Sequence, residues 1–87
     1  MNANRVYLIT FRSVTYAQRG ERVLNRAGER CSLQRTPRWM EEQGCGYSQR
    51  LQSGNIGRAV SLLRSEQLPM RKVYVFRDDG GLEEVTV

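Results

Sequence analysis

With 87 residues, 39% of them hydrophobic and 26% charged, the chain can build one two-layer core but no deep, enclosed active site. The net charge of +5 is almost wholly arginine, Lys72 being the only lysine, so an anionic partner suits the surface. Histidine is absent, which excludes Ser-His-Asp and Cys-His catalysis and any zinc site that needs a histidine ligand.

Val6 to Phe11 is β-branched and aromatic on both faces, as in a central strand. This apolar run is too short for a signal-peptide core or a membrane span, so the expected address is the cytoplasm, with no membrane partner and reduced thiols. Ser13 is placed to cap a helix with Ala17, Gly20, Val23, Leu24 and Ala27 on one face and Arg19, Arg22, Asn25 and Arg26 on the other. The arginines are interleaved with Glu21 and Glu29, as on a solvated face; nucleic acid is therefore disfavoured. Gly28 suits the left-handed position past the helix end.

Cys31-Ser32-Leu33-Gln34 alternates with period two, which puts Cys31 and Leu33 on one face of a half-buried strand ended by Pro37. Residues 37–46 read as a loop or single turn around Trp39 and Met40, closing on Gly44-Cys45-Gly46. Tyr47 to Gln52 is the weakest of the expected strands. Asn55 can cap a second helix carrying Ile56, Ala59, Val60 and Leu63, stopped at Leu68-Pro69. Lys72 to Arg77 is a strand, Asp78 to Gly81 a turn, and Leu82 to Val87 a short hairpin return.

The order β-α-β-β-α-β predicts an α+β fold, a two-layer ferredoxin-like sandwich forming a single domain over residues 1–87. The first and third strands are central in that topology, where Ser48, Gln49 and Arg50 fit poorly. The helix-free sheet face is expected to carry several of Tyr7, Ile9, Phe11, Tyr47, Tyr74 and Phe76, a patch that calls for a partner.

No Walker A sequence and no G-x-G-x-x-G is present, and the spacing of Cys31 and Cys45 is not a zinc motif, so neither cofactor nor metal is expected. The two thiols differ in setting. Cys31 reads as a small hydrophobe in a strand. Cys45 lies between Gly44 and Gly46, which remove side-chain cover and permit positive φ, while Arg35, Arg38 and Arg50 are near in sequence and favour a thiolate. A phosphatase-type loop fails, because Leu51 stands where arginine is needed. A rhodanese-type loop finds Arg50 in place but lacks its central glycine.

Thr10-Phe11-Arg12-Ser13, then Ala17, Glu21, Leu24 and Gly28, then Thr36-Pro37-Arg38 and Cys45-Gly46 resemble the selenium/sulfur carrier-like family of small bacterial proteins. The resemblance covers about residues 5–52, with a looser match beyond. Arg35 departs from it, standing where proline is common, as does Gln43-Gly44, where small polar residues are common. It implies a small mixed α/β fold with Cys45 as the carrier thiol, Gly46 beside it and Thr36-Pro37-Arg38 as a supporting loop; Gly44 and Arg38 complete the expected binding set, Arg38 as stabilising cation. The expected function is carriage rather than stand-alone catalysis. Cys45 would take sulfur or selenium from a donor such as a cysteine desulfurase and pass it to a sulfur- or selenium-accepting enzyme. Two alternatives stay open: a ferredoxin-like module binding RNA or protein on its open sheet face, and a regulatory or homodimerising domain with an incidental cysteine.

Overall fold

The structure, a computed structural model, describes residues 5–36 and 46–86. In chain order the elements are β1 (Arg5–Phe11), α1 (Val14–Arg26), β2 (Arg30–Arg35), β3 (Tyr47–Ser53), α2 (Ile56–Ser65), β4 (Met70–Phe76) and β5 (Leu82–Val85). The strands form one sheet in the order β2-β3-β1-β4-β5, every neighbouring pair antiparallel. This is the expected ferredoxin-like α+β sandwich, with β5 added at one edge as the hairpin return.

Local chemistry accounts for the helix boundaries. Ser13 has extended backbone and its Oγ accepts from the Tyr16 N–H at 3.2 Å; Asn55 Oδ1 does the same for Arg58 at 3.1 Å. Both helices end in the same six-residue wrap. Glu29 N–H donates to Leu24 C=O at 2.9 Å across Gly28 (φ +90°), and Leu68 N–H donates to Leu63 C=O at 3.0 Å across Gln67 (φ +59°). Gly28 was the legible one of the two; Gln67 takes the left-handed conformation without glycine's freedom. An exposed ion pair, Arg58 to Glu29 at 2.8 Å, links the end of α1 to the start of α2.

The core lies between the helices and one sheet face. Ile9 and Phe11 of β1, Leu51 of β3 and Val73 of β4 meet Ala17 and Leu24 of α1 and Ala59, Val60 and Leu63 of α2. Gly20 allows the closest approach, since a Cβ there would stand 3.0 Å from Phe11 Cζ and 3.5 Å from Leu63 Cδ2. β1 is buried on both sides: Leu8, pointing the other way, is also fully buried, between Arg50 of β3 and Tyr74 of β4. This corrects the expected open face. Tyr7, Ile9 and Phe11 turn toward the helices, and Tyr47 follows the parity of Gln49 and Leu51, so only Tyr74 and Phe76 of the six belong to the helix-free side.

The polar third strand is central after all, because each inward polar group does a structural job. Gln49 is fully buried and its Nε2 donates to the Ala17 carbonyl of α1 at 2.6 Å, while its Oε1 has no partner among the described residues. Buried Ser53 accepts from the Asn55 N–H at 3.0 Å and so positions the cap of α2. On β4 an extra residue opposes Thr10, whose Oγ1 fills the irregularity by accepting from the Lys72 N–H at 3.0 Å. Among the described residues no helix is long and apolar enough to cross a membrane.

Two substitutions test this packing. Gly20→Ala gains helix propensity but pushes a methyl into the fixed Phe11 ring, so a net loss of about 1 kcal/mol is expected. Gln67→Gly relieves the left-handed strain and should gain about 0.5–1 kcal/mol. Urea unfolding monitored by circular dichroism measures both; a more stable Gly20→Ala would refute the close α1–Phe11 contact.

Candidate functional site

Of the expected site residues, Thr36 and Gly46 are described; Pro37, Arg38, Gly44 and Cys45 lie outside the described residues, as do Trp39 and Met40. The frame from which that segment leaves and to which it returns is well built. Ladder pairs Gln34↔Ser48 and Arg35↔Tyr47 continue into a Thr36 N–H to Gly46 C=O bond of 2.9 Å. The Thr36 hydroxyl is buried and donates to Ser48 Oγ at 3.2 Å. Gly46 has φ +83°, a conformation that costs glycine little and other residues much. Thr36 and Gly46 thus hold the two ends of residues 37–45 one hydrogen bond apart.

The same end of the sheet carries the end of β1 and the start of α1, since Thr10 pairs with Ser48 and Gln49 is bonded to Ala17. The first turn of α1 holds no acidic residue, so its N–H dipoles are uncompensated by carboxylates there. Arg12 is exposed in the β1–α1 connection. Arg35 lies over the Tyr47 ring, its guanidinium carbon 5.4 Å from the centroid and its Nη1 3.4 Å from the Tyr47 hydroxyl. Two exposed arginines, Arg12 in the β1–α1 connection and Arg35 at the end of β2, thus stand at this end of the sheet.

Cys31 has the opposite setting. It faces α1 from β2, as the period-two pattern predicted, and packs half-buried against the core. Its Sγ donates toward Asn25 Oδ1 at 3.4 Å and lies 3.7 Å from the Glu21 carbonyl. Burial above all, then the carboxylates of Glu21 and Glu29, push its thiol up to about 11. At neutral pH Cys31 therefore stays a thiol, the form that is the weaker nucleophile.

Arg50, near Cys45 in sequence, is turned along the helix-free face, its guanidinium carbon 5.3 Å from the centroid of the Phe76 ring. It borders an open depression of about 440 Å³ with Arg30, Ser32, Gln52, Val6 and the Cys31 backbone position. Sequence reasoning missed this grouping. Its signal was the shared parity of Arg30 and Ser32 on one strand and Arg50 and Gln52 on the next, which becomes readable only once the register of the two strands is known.

A family model described as "Putative Se/S carrier protein-like" matches residues 6–75, from β1 through β4, and the match includes Thr36-Pro37-Arg38 and Cys45-Gly46. No curated protein and no solved structure matches the chain. The matched span is most of the 87 residues, and the chain therefore belongs to the Se/S carrier protein-like family.

Proposed function

We propose that the protein carries sulfur or selenium on Cys45. The observation that carries this reading is the inequality of the two thiols within a chain of this family: Cys31 is packed and held protonated, while Cys45 sits in a glycine-flanked segment of the matched span. The Cys45 thiolate attacks the terminal sulfur of a donor persulfide, such as that formed on a cysteine desulfurase. The donor S–S bond breaks, the donor cysteine leaves as thiolate, and Cys45 holds the sulfane atom as a persulfide. Delivery is the same exchange with an acceptor thiolate or another nucleophile attacking the carried atom. Selenium follows an identical route through a selenosulfide.

Each neighbour has a role in this scheme. Gly44 and Gly46 bring no side chains beside Cys45 in the chain, which suits attack by a second protein. Thr36 closes the β2–β3 ladder against Gly46, and Pro37 follows it in sequence. Arg38 supplies a cation to the thiolate and to the persulfide anion. Donor and acceptor are proteins, the compartment is the cytoplasm, and the protein is a transfer partner rather than a stand-alone enzyme. One observation favours a second reading, a binding module: Tyr74, Phe76, Arg30 and Arg50 share the face that no helix covers. A binding module keeps its affinity when Cys45 becomes serine, whereas a carrier loses transfer altogether.

Incubation with a cysteine desulfurase and cysteine should add one sulfur atom to the wild type and to Cys31→Ala, read by intact mass; Cys45→Ser should gain nothing. Loading that survives in Cys45→Ser would contradict the carrier assignment.

Timed iodoacetamide labelling with peptide mapping should modify Cys45 at least ten times faster than Cys31 at neutral pH. Cys31 is an acid whose folded pKa is raised, so its labelling should stay slow through the neutral range and climb only as pH approaches about 11. Equal rates at neutral pH would refute the distinction between the thiols.

Arg38→Ala should raise the Cys45 pKa and slow loading, and Arg38→Lys should recover part of both. Thiolate absorbance against pH in the Cys31→Ala background measures the shift; an unchanged curve would remove Arg38 from the mechanism and leave backbone N–H groups in its place.

A further inference from the structure

We propose that the helix-free sheet face holds a binding site for a small phosphate-bearing molecule, centred on Arg30 and Arg50. Arg30 and Gln52 lie at the opposite end of the β2–β3 ladder from Thr36 and Gly46. In the β2–β3 ladder Arg30 stands opposite Gln52 and Ser32 opposite Arg50. These four even-numbered residues, opposite in parity to Cys31 and Leu51 beneath the helices, form a square on adjacent strands with the arginines on its diagonal. Diagonal neighbours on a sheet lie about 7–8 Å apart at the backbone, within reach for two guanidinium groups to grip one phosphate or two linked ones. A hydroxyl and a carboxamide fill the other corners, and Val6 of β1 provides an apolar floor. The depression they border, about 440 Å³, falls in the size range of small-molecule sites.

Charge decides the ligand's sign. Neither arginine has a carboxylate partner among the described residues, and no acidic side chain lines the depression. Glu29, the neighbour of Arg30 in sequence, is paired with Arg58 at 2.8 Å, Glu21 on α1 lies on the helix side by Cys31, and Glu84 on the far-edge strand β5 faces Lys72 at 3.8 Å. Two uncompensated guanidinium groups bordering one depression disfavour each other's charge until an anion joins them. Arg50 leans across β1 to the Phe76 ring of β4, so it borders the depression on the side away from Arg30, and a ligand held by both bridges the two.

Other occupants fit less well. Single-stranded nucleic acid needs a run of free aromatic faces to stack on, and with Arg50 over Phe76 the described helix-free side is left with Tyr74. A second copy would bring the same pair of arginines against itself. A planar bidentate fork on each arginine matches phosphate oxygens better than isolated single charges would.

Isothermal titration with inorganic pyrophosphate and with AMP, supported by amide chemical-shift mapping, tests the site. Saturable binding is expected, with shifts concentrated at residues 30–32 and 50–52. Arg30→Gln and Arg50→Gln should each weaken it at least tenfold. Arg50→Lys should fail to restore it, because it keeps the charge but loses the fork and the ring contact. Arg19→Gln, an equal charge removed from the exposed part of α1, should leave it unchanged, and so should Cys45→Ser, which separates this site from the carrier reading. Three outcomes would overturn the proposal: no saturable binding of either probe; an equal loss in Arg19→Gln, which would mean general charge attraction; or tighter binding of a single-stranded oligonucleotide or of a polyglutamate peptide at the same residues.

Discussion

A one-residue slip of β3 against its neighbours would turn Gln49 and Leu51 out to the open face and drive Arg50 into the core. The register of this strand, hydrogen-bonded on both edges between β2 and β1, is the constraint on which the other features depend. It sets Leu51 under the helices and Gln49 against Ala17, and it brings Thr36 back to Gly46. It also aligns Arg30 with Gln52 and Ser32 with Arg50 on the opposite face. Hydrophobic burial alone defines this register weakly, since Leu51 is the single large apolar residue of the strand's interior. The polar contacts supply the rest.

Gln49 is the clearest case of polarity used for position. Its donor is satisfied at 2.6 Å while its carbonyl oxygen is buried without a partner among the described residues. A buried hydrogen bond contributes about 1 kcal/mol net, and an unsatisfied acceptor costs about 1–3 kcal/mol, so the residue is no clear gain for stability. What it provides is a tie between the start of α1 and the start of β3. Those two points flank the end of the sheet where the chain departs toward Cys45, so a cost in stability there holds the surroundings of the candidate site in place.

Much of the fold was legible because its signals are local. Ser13 and Asn55 as caps, Gly28 as a helix stop, and the shared face of Cys31 and Leu33 follow from a few consecutive residues each. What escaped depends on partners distant in sequence. β1 is apolar on both faces, so nothing in its own pattern tells that Ile9 and Phe11 face the helices while Leu8 faces away. The end of α2 gave no glycine to read, because Gln67 takes the left-handed position. For the candidate site, the packed setting of Cys31 follows from its strand alternation, and Thr36 and Gly46 stand as a bonded pair, while Cys45 lies outside the described residues. The arginine pair was not readable, since it exists only through the alignment of two strands.

The central claim is that the transferable atom resides on Cys45, and locating that atom tests it most directly. The wild-type protein, loaded by a desulfurase and then alkylated, can be digested and its cysteine peptides analysed by mass spectrometry. The account predicts a disulfide-linked adduct on the peptide containing Cys45 and, at most, a trace of directly alkylated sulfur at Cys31. A sulfane sulfur found on Cys31, or loading of the protein with neither cysteine carrying the added atom, would contradict it.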